Sequence, residues 1–255
     1  MYLQARESAL RLEGAVALVT GGGKGLGLAI ATYLQSQGAQ LIIADLDAEA
    51  LNSLPDTMDK YVLNVTVPED AKAVVKTVLD KHGRIDILVN NAGIIFSEPM
   101  VNIMNPTGMM HDYARFRRSI EANLDSVFIM TSAVVEQMVM RRTKGVIVNV
   151  SSISASGNEG QTAYSAAKAG VNAMTVTWSK ELGRLGIRCN AVAPGFVDTP
   201  STRGALSESI IKHIQSNTPL RRLGKAEEVA QAVASLITND FVNGVVLNVD
   251  GGLVI

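Results

Sequence analysis

The chain has 255 residues, with 23 Lys+Arg against 24 Asp+Glu, a formal charge of -1 and 47% hydrophobic residues. That apolar fraction excludes a disordered chain, and the even charge balance argues against a nucleic-acid binder, which carries a basic face. A single cysteine, Cys189, excludes an internal disulfide framework, and no run approaches the eighteen apolar residues of a membrane span.

The opening MYLQARESALRLEG carries charges and no apolar h-region. Residues 1–12 therefore read as a short arm rather than a leader, with the cytoplasm as the expected address. Beyond them, apolar runs of strand length alternate with helical patterns. The predicted strands are 15–20, 41–44, 61–65, 85–89, 146–150, 188–192 and 245–249. The predicted helices are 26–37, 48–54, 70–82, 115–142 with a break near Asn123, 163–185 and 227–237. Near-continuous apolar strands between helices imply a parallel sheet covered on both faces. The fold class is α/β, one Rossmann-type doubly wound domain over 1–255 with seven strands. A (β/α)₈ barrel fits less well, because seven strands are counted and the glycine signature follows the first.

That signature is Thr20-Gly21-Gly22-Gly23-Lys24-Gly25-Leu26-Gly27. Between a strand and a helix, Gly21 takes a tight turn, Gly25 lets backbone approach a pyrophosphate, and Gly27 lets helix and strand pack closely. Free N–H groups at the helix start face the phosphates. Asp45 ends the second strand where an acid accepts hydrogen bonds from the adenosine ribose and repels a 2′-phosphate. At about 4 Å and an effective dielectric near 20, like charges cost roughly 4 kcal/mol. Lys24 pulls the other way, so NAD(H) is favoured and NADP(H) remains open. The three histidines, His82, His111 and His213, show no metal-ligand spacing, and no metal is expected.

Several further motifs follow in order: Asn90-Asn91-Ala92-Gly93, Asn123 in ANLDSVF, VIVNVSS, Tyr164-Ser-Ala-Ala-Lys168, Pro194-Gly195 and VDGGL. With the glycine turn, they resemble the short-chain dehydrogenase/reductase family from about Leu12 to Leu253. Segments 157–170 and 219–230 look most like its 3-oxoacyl-(acyl-carrier-protein) reductases. The resemblance implies a tetrad of Asn123, a serine, Tyr164 and Lys168. It also implies cofactor contacts from Gly21, Gly23, Lys24, Gly25, Leu26, Gly27, Asp45, Leu46, Asn64, Val65, Asn91, Ala92, Gly93, Tyr164, Lys168, Pro194, Gly195, Val197 and Thr199.

Tyr164 and Lys168 stand four apart on one helix face, where an ammonium would favour phenolate and lower the tyrosine pKa. Ser151 and Ser152 compete for the serine place. Ser152 is chosen from the strand pattern, although Ser151 gives the more usual spacing to Tyr164. Asn123 is a poor helix former, so a backbone irregularity is expected there. Asn90 is expected to brace the central strands.

The expected reaction is reduction of a 3-oxoacyl thioester, possibly on an acyl carrier protein. The alternatives are oxidation of another secondary alcohol (a steroid, polyol or aromatic diol) and a non-catalytic dinucleotide-binding regulator. Arg141, Arg142, Lys144, Arg184 and Arg188 could form a basic rim for an acidic carrier. The stretch 94–122, with Met100, Met104, Met109 and Met110, either offers an adaptable apolar surface or packs itself down. Residues 198–220 read as a mobile lid in which Arg203 could anchor an anion. Small residues Ala166, Ala169, Gly170 and Ala173 on one helix suggest a homotetramer.

Overall fold

The computed structural model describes residues 10–56, 58–106 and 108–255. Residues 1–9 of the expected arm lie outside these; Leu12 at its end is buried in the core.

Seven parallel strands form one sheet in the order β3-β2-β1-β4-β5-β6-β7. They are β1 (Val16–Thr20), β2 (Gln40–Asp45), β3 (Asp59–Val62), β4 (Ile87–Asn90), β5 (Gly145–Val150), β6 (Ile187–Pro194) and β7 (Val246–Val249). The helices between them are α1 (Gly25–Ser36), α2 (Ala48–Asn52), α3 (Pro68–His82), α4 (Tyr113–Ile120), α5 (Ser126–Arg141), α6 (Thr162–Leu182), α7 (Pro200–Ala205), α8 (Glu208–Asn217) and α9 (Ala226–Thr238). This is the expected doubly wound sheet. Strand alternation sorts β1 between two cores: Ala17 and Val19 pack with Ile30, Leu34, Val229 and Val233, while Val16 and Leu18 pack with Val75, Val78, Met130 and Val134. The first core is covered by α1 and α9, the second by α3 and α5.

From β1 the chain winds outward through β2 to β3, then crosses back to β4 on the other side of β1. The crevice at the carboxyl ends of β1 and β4 is thus the switch point, where such sheets bind ligands. A buried polar chain ties the central strands beneath it. Asn90 Nδ2 donates to Thr131 Oγ1 and to Asn149 Oδ1, each at 2.9 Å, and Asn149 Nδ2 donates to Thr175 Oγ1.

Two expectations change. The third strand is Asp59–Val62 rather than 61–65, because pairing with β2 ends at Asp45↔Val62. Asn64 then folds its side chain onto Thr66 in an Asx turn, taking the chain off the sheet edge. The 198–220 segment, given no helix from sequence, holds α7 and α8, capped by Thr199 and Ser207. Ile214 of α8 is buried with Ile153, Leu223 and Leu253. Only a few apolar residues anchor these short helices, so their periodicity was weak in the sequence.

Candidate active site

The glycine turn leaves β1 with Gly21 and Gly25 at φ +61 and +57, backbone that disfavours a side chain. A Cβ on Gly27 would collide with the Gly21 carbonyl, whereas one on Gly25 would meet nothing within 4 Å. Gly27 therefore serves the packing of helix on strand, and Gly25 opens onto the crevice. No side chain caps α1, and no acid sits in its first turn. These N–H groups in an open glycine cradle fit the pyrophosphate of a dinucleotide.

Across the switch point, Asn91 Nδ2 donates to the carbonyls of Thr20 and Gly21, and the Asn91 and Ala92 N–H groups donate to Thr20 Oγ1. The Asn91 side chain thus staples the β4 end to the glycine turn. Asp45 lies beside this turn: one carboxylate oxygen accepts from Gly23 N at 2.9 Å, the other from Asp47 N at 3.0 Å. Lys24 is paired with Asp47 at 2.7 Å. Asp47, which also caps α2, was not foreseen as a site residue. Its signal was an acid two positions after Asp45.

Asn64 and Val65 follow β3 at the far side of the crevice. Leu46 is exposed next to Asp45. Gly195 passes so close to Asp250 that a Cβ there would lie 2.9 Å from its Cα, and Gly195 N donates to the Val249 carbonyl. Pro194 ends β6, Val197 is bridged to Gly224, and Thr199 caps α7.

Tyr164, Ser152 and Lys168 meet beyond the carboxyl end of β5. Lys168 Nζ lies 5.6 Å from the Tyr164 ring centroid and donates to the Val150 carbonyl at 2.8 Å. The Ser152 hydroxyl accepts from Ser154 N at 3.1 Å and lies near enough to the Tyr164 phenol to favour its ionised form. Ser151 turns the other way, towards the Lys168 carbonyl, 3.4 Å from its hydroxyl. The break near Asn123 is a π-helical turn, Glu121–Asp125, between α4 and α5. Asn123 Nδ2 donates to the carbonyls of Ser119 and Ile94, and its Oδ1 accepts from Ile94 N. It clamps the chain just after Gly93, where a Cβ would collide with Asn123 Oδ1 and lie 3.9 Å from Lys168 Nζ.

The electrostatics reverse the sequence expectation. Burial pushes the Tyr164 phenol up to about 12, against the opposing pull of the Ser152 hydrogen bond. Burial also lowers Lys168 to about 8. Lys168 Nζ lies over the Tyr164 ring, and desolvation is the largest influence on both groups. At about 12 the phenol keeps its proton at neutral pH.

A family model described as enoyl-(acyl carrier protein) reductase matches residues 21–254. The chain belongs to the short-chain dehydrogenase/reductase family. It is 44% identical to the 3-oxoacyl-(acyl-carrier-protein) reductase of Thermotoga maritima, covering 96% of this chain and 100% of that one. It is 37% identical to the sorbitol-6-phosphate 2-dehydrogenase of Klebsiella pneumoniae, over 95% of this chain and 97% of the relative. The crystal structure of gox2181 superposes with a TM-score of 0.85 at 34% identity, covering 95% and 96% of the two chains. A nicotinamide dinucleotide is the cofactor of this dehydrogenase/reductase family, and the open glycine cradle fits it.

Around the dehydrogenase/reductase site, three sequence readings are corrected. Arg203 is held by both Asp198 oxygens at 2.6 Å and is not a free anion anchor. Arg188 donates to the carbonyls of Leu236, Ile237 and Val242, so it is a structural clamp rather than part of a basic rim. Arg141, Arg142, Lys144 and Arg184 precede β5 and β6, at the sheet end opposite Tyr164 within one subunit. The methionines of 94–122 do not pack the segment down: Met100, Met104, Met109 and Met110 are all exposed, Met104 at 85%. Sequence reasoning missed Val150, whose carbonyl holds Lys168, and Ser119, which holds Asn123. A backbone acceptor leaves no sequence signal, and a buried serine on α4 leaves little.

Proposed function

We propose that this protein reduces a 3-oxoacyl thioester to the 3-hydroxyacyl form, with NADH preferred and the acyl group presented on an acyl carrier. The observation that carries the reading is the buried Tyr164 with Lys168 Nζ 5.6 Å from its ring, next to the half-buried Ser152. A bound nicotinamide dinucleotide supplies the hydride. Ser152 and Tyr164 together offer two hydrogen-bond donors to the oxygen of a substrate carbonyl, where alkoxide charge develops. Tyr164 gives that oxygen its proton. Lys168, held by Val150, supplies a positive charge next to the phenol and replaces its proton. Asn123 is a positioning residue of the tetrad: it fixes the Gly93–Ile94 turn against Lys168.

The NADH preference rests on charge. A 2′-phosphate beside Gly23 would face Asp45 and Asp47, and the neighbouring cation Lys24 is already paired with Asp47. The same feature supports a second reading, NAD-linked oxidation of another secondary alcohol, since NAD-linked enzymes often run in that direction. We read the protein as cytoplasmic and homotetrameric, the latter because α6 leaves Ala166, Ala169, Ala173 and Val176 exposed in one stripe. Among the described residues no helix is long and apolar enough to cross a membrane.

The test follows nicotinamide absorbance with acetoacetyl thioester and with a panel of secondary alcohols, using both cofactors. Thioester reduction is expected, with NADH at least tenfold preferred over NADPH. Tyr164→Phe is expected to abolish turnover while NADH still binds, because the proton is lost but the glycine turn is intact. Near-normal turnover in that variant removes Tyr164 from proton transfer.

A further inference from the structure

The stretch between Gly93 and α4 walls a cavity of ≈ 410 Å³ that the proposed chemistry leaves unused. Its wall is a hairpin closed by the antiparallel pair Val101↔Met110. The hairpin is anchored beside the reaction site: Glu98 N donates to the Gly160 carbonyl at 2.7 Å, four residues before Tyr164. From Gly93 to Glu98 the chain can span at most roughly 17 Å, so the cavity lies within reach of an extended substrate.

At the hairpin base, a carboxylate oxygen and an imidazole nitrogen face each other. The Glu98 side chain is only 12% exposed and the His111 ring only 7%. His111 Nδ1 donates to the Glu98 carbonyl at 3.0 Å, which fixes the ring with Nε2 towards the carboxylate. Nε2 lies 3.9 Å from Glu98 Oε2, and neither atom has a hydrogen-bond partner among the described residues. Arg115 Nη1 forms a 3.7 Å ion pair with the same oxygen, and the other carboxylate oxygen accepts from Asp112 N at 3.3 Å. Buried polar atoms are rarely left this way, and Glu98 lines the cavity together with Asn102, Asp112 and Arg115.

We propose that this cavity is a binding subsite for an uncharged chain of hydroxyl and amide groups, and that it sets substrate preference. Glu98 and Asp112 outnumber Arg115, which disfavours a phosphate or carboxylate. Their oxygens call for O–H or N–H donors, and Asn102 and Arg115 offer donors to carbonyls. A bare acyl chain offers none of these groups a further partner. Two substrates carry such a chain: a thioester, through its pantetheine arm, and an open-chain polyol. The first rests on the proposed thioester reduction; the second does not.

The test compares acetoacetyl-pantetheine with acetoacetyl-N-acetylcysteamine, which lacks most of the arm, and includes sorbitol with NAD as a separate arm. In the wild type the pantetheine ester is expected to show about tenfold higher kcat/KM than the truncated ester. Glu98→Ala is expected to bring that ratio near one, and Glu98→Gln, which keeps an acceptor oxygen, to restore most of it. Asn102→Ala, on the exposed hairpin, is expected to lower the ratio about threefold and does not depend on how Glu98→Ala folds. If the same variants instead raise KM for sorbitol, the cavity serves a polyol. Ratios and polyol KM that are unchanged in all three variants overturn the proposal. Failure of the wild type to reduce either thioester strikes the proposed function alone, and the sorbitol arm then decides the cavity.

Discussion

Lys168 shows how far burial dominates charge at this site. Its ordinary value of 10.5 is lowered to about 8 by burial, so the folded state carries a penalty for the ammonium of about 3 kcal/mol. That penalty is complete below pH 8 and fades as pH rises to 10.5, because over this window the unfolded chain holds the extra proton. Tyr164 acts in the opposite sense: its raised phenol costs stability only as pH passes from 10 towards 12. Lys168→Met is therefore expected to be inactive, and its stability relative to wild type is expected to fall by about 3 kcal/mol between pH 7 and 10.5. Urea unfolding at the two pH values measures this, and a difference independent of pH would show that the lysine is not buried as an ammonium. The two serines give a second residue-scale test. Ser152 lies near the phenol and Ser151 turns to the helix backbone, so Ser152→Ala is expected to lower kcat by on the order of 10²–10³ and Ser151→Ala by less than about tenfold. The reverse order would move the donor to Ser151.

At the scale of elements, the glycine turn and the π-helical turn do the positioning. Both were legible in the sequence, for different reasons. The turn needs residues without a Cβ, which glycine alone supplies. The π turn showed as an asparagine placed where a helix former belongs, and its side chain proves to be a clamp with four hydrogen bonds, to Ile94 and Ser119. Gly27→Ala would press a methyl into the Gly21 carbonyl. The expected result is a loss of about 1–3 kcal/mol in stability together with at least tenfold weaker NADH binding, read by calorimetry. Unchanged binding would separate helix–strand packing from the cradle. The third strand was misplaced because Tyr61–Val65 is as apolar as a strand, while the pairing partner that stops it, β2, ends at Asp45. Periodicity does not show where a neighbour runs out.

At the scale of the whole molecule, α6 and its neighbour leave an apolar face to solvent. Phe128 on α5 is 54% exposed and lies 6.5 Å from the Trp178 ring. Burying that face between copies would add hydrophobic stabilisation of about 25 cal/mol per Å². A tetramer is expected by light scattering at micromolar concentration. Phe128→Glu combined with Ala169→Glu is expected to give smaller species, since the added charges lie on the stripe and not in the site. A monomeric wild type would sink the assembly, though not the reading of the site.

The order of motifs along the chain determined the sheet class, the switch-point crevice and the identities of Tyr164, Lys168 and Asn123. Those signals are local: glycine where backbone must turn, a tyrosine and a lysine one helical turn apart, apolar runs of strand length. Tertiary structure decided what local signals cannot carry. It turned Ser152 to the phenol and Ser151 away, spent Arg188 and Arg203 on partners many or few residues off, and paired Lys24 with Asp47. It also set the sign of the Tyr164 shift, because desolvation depends on everything packed around a group, and a four-residue spacing reports only one neighbour.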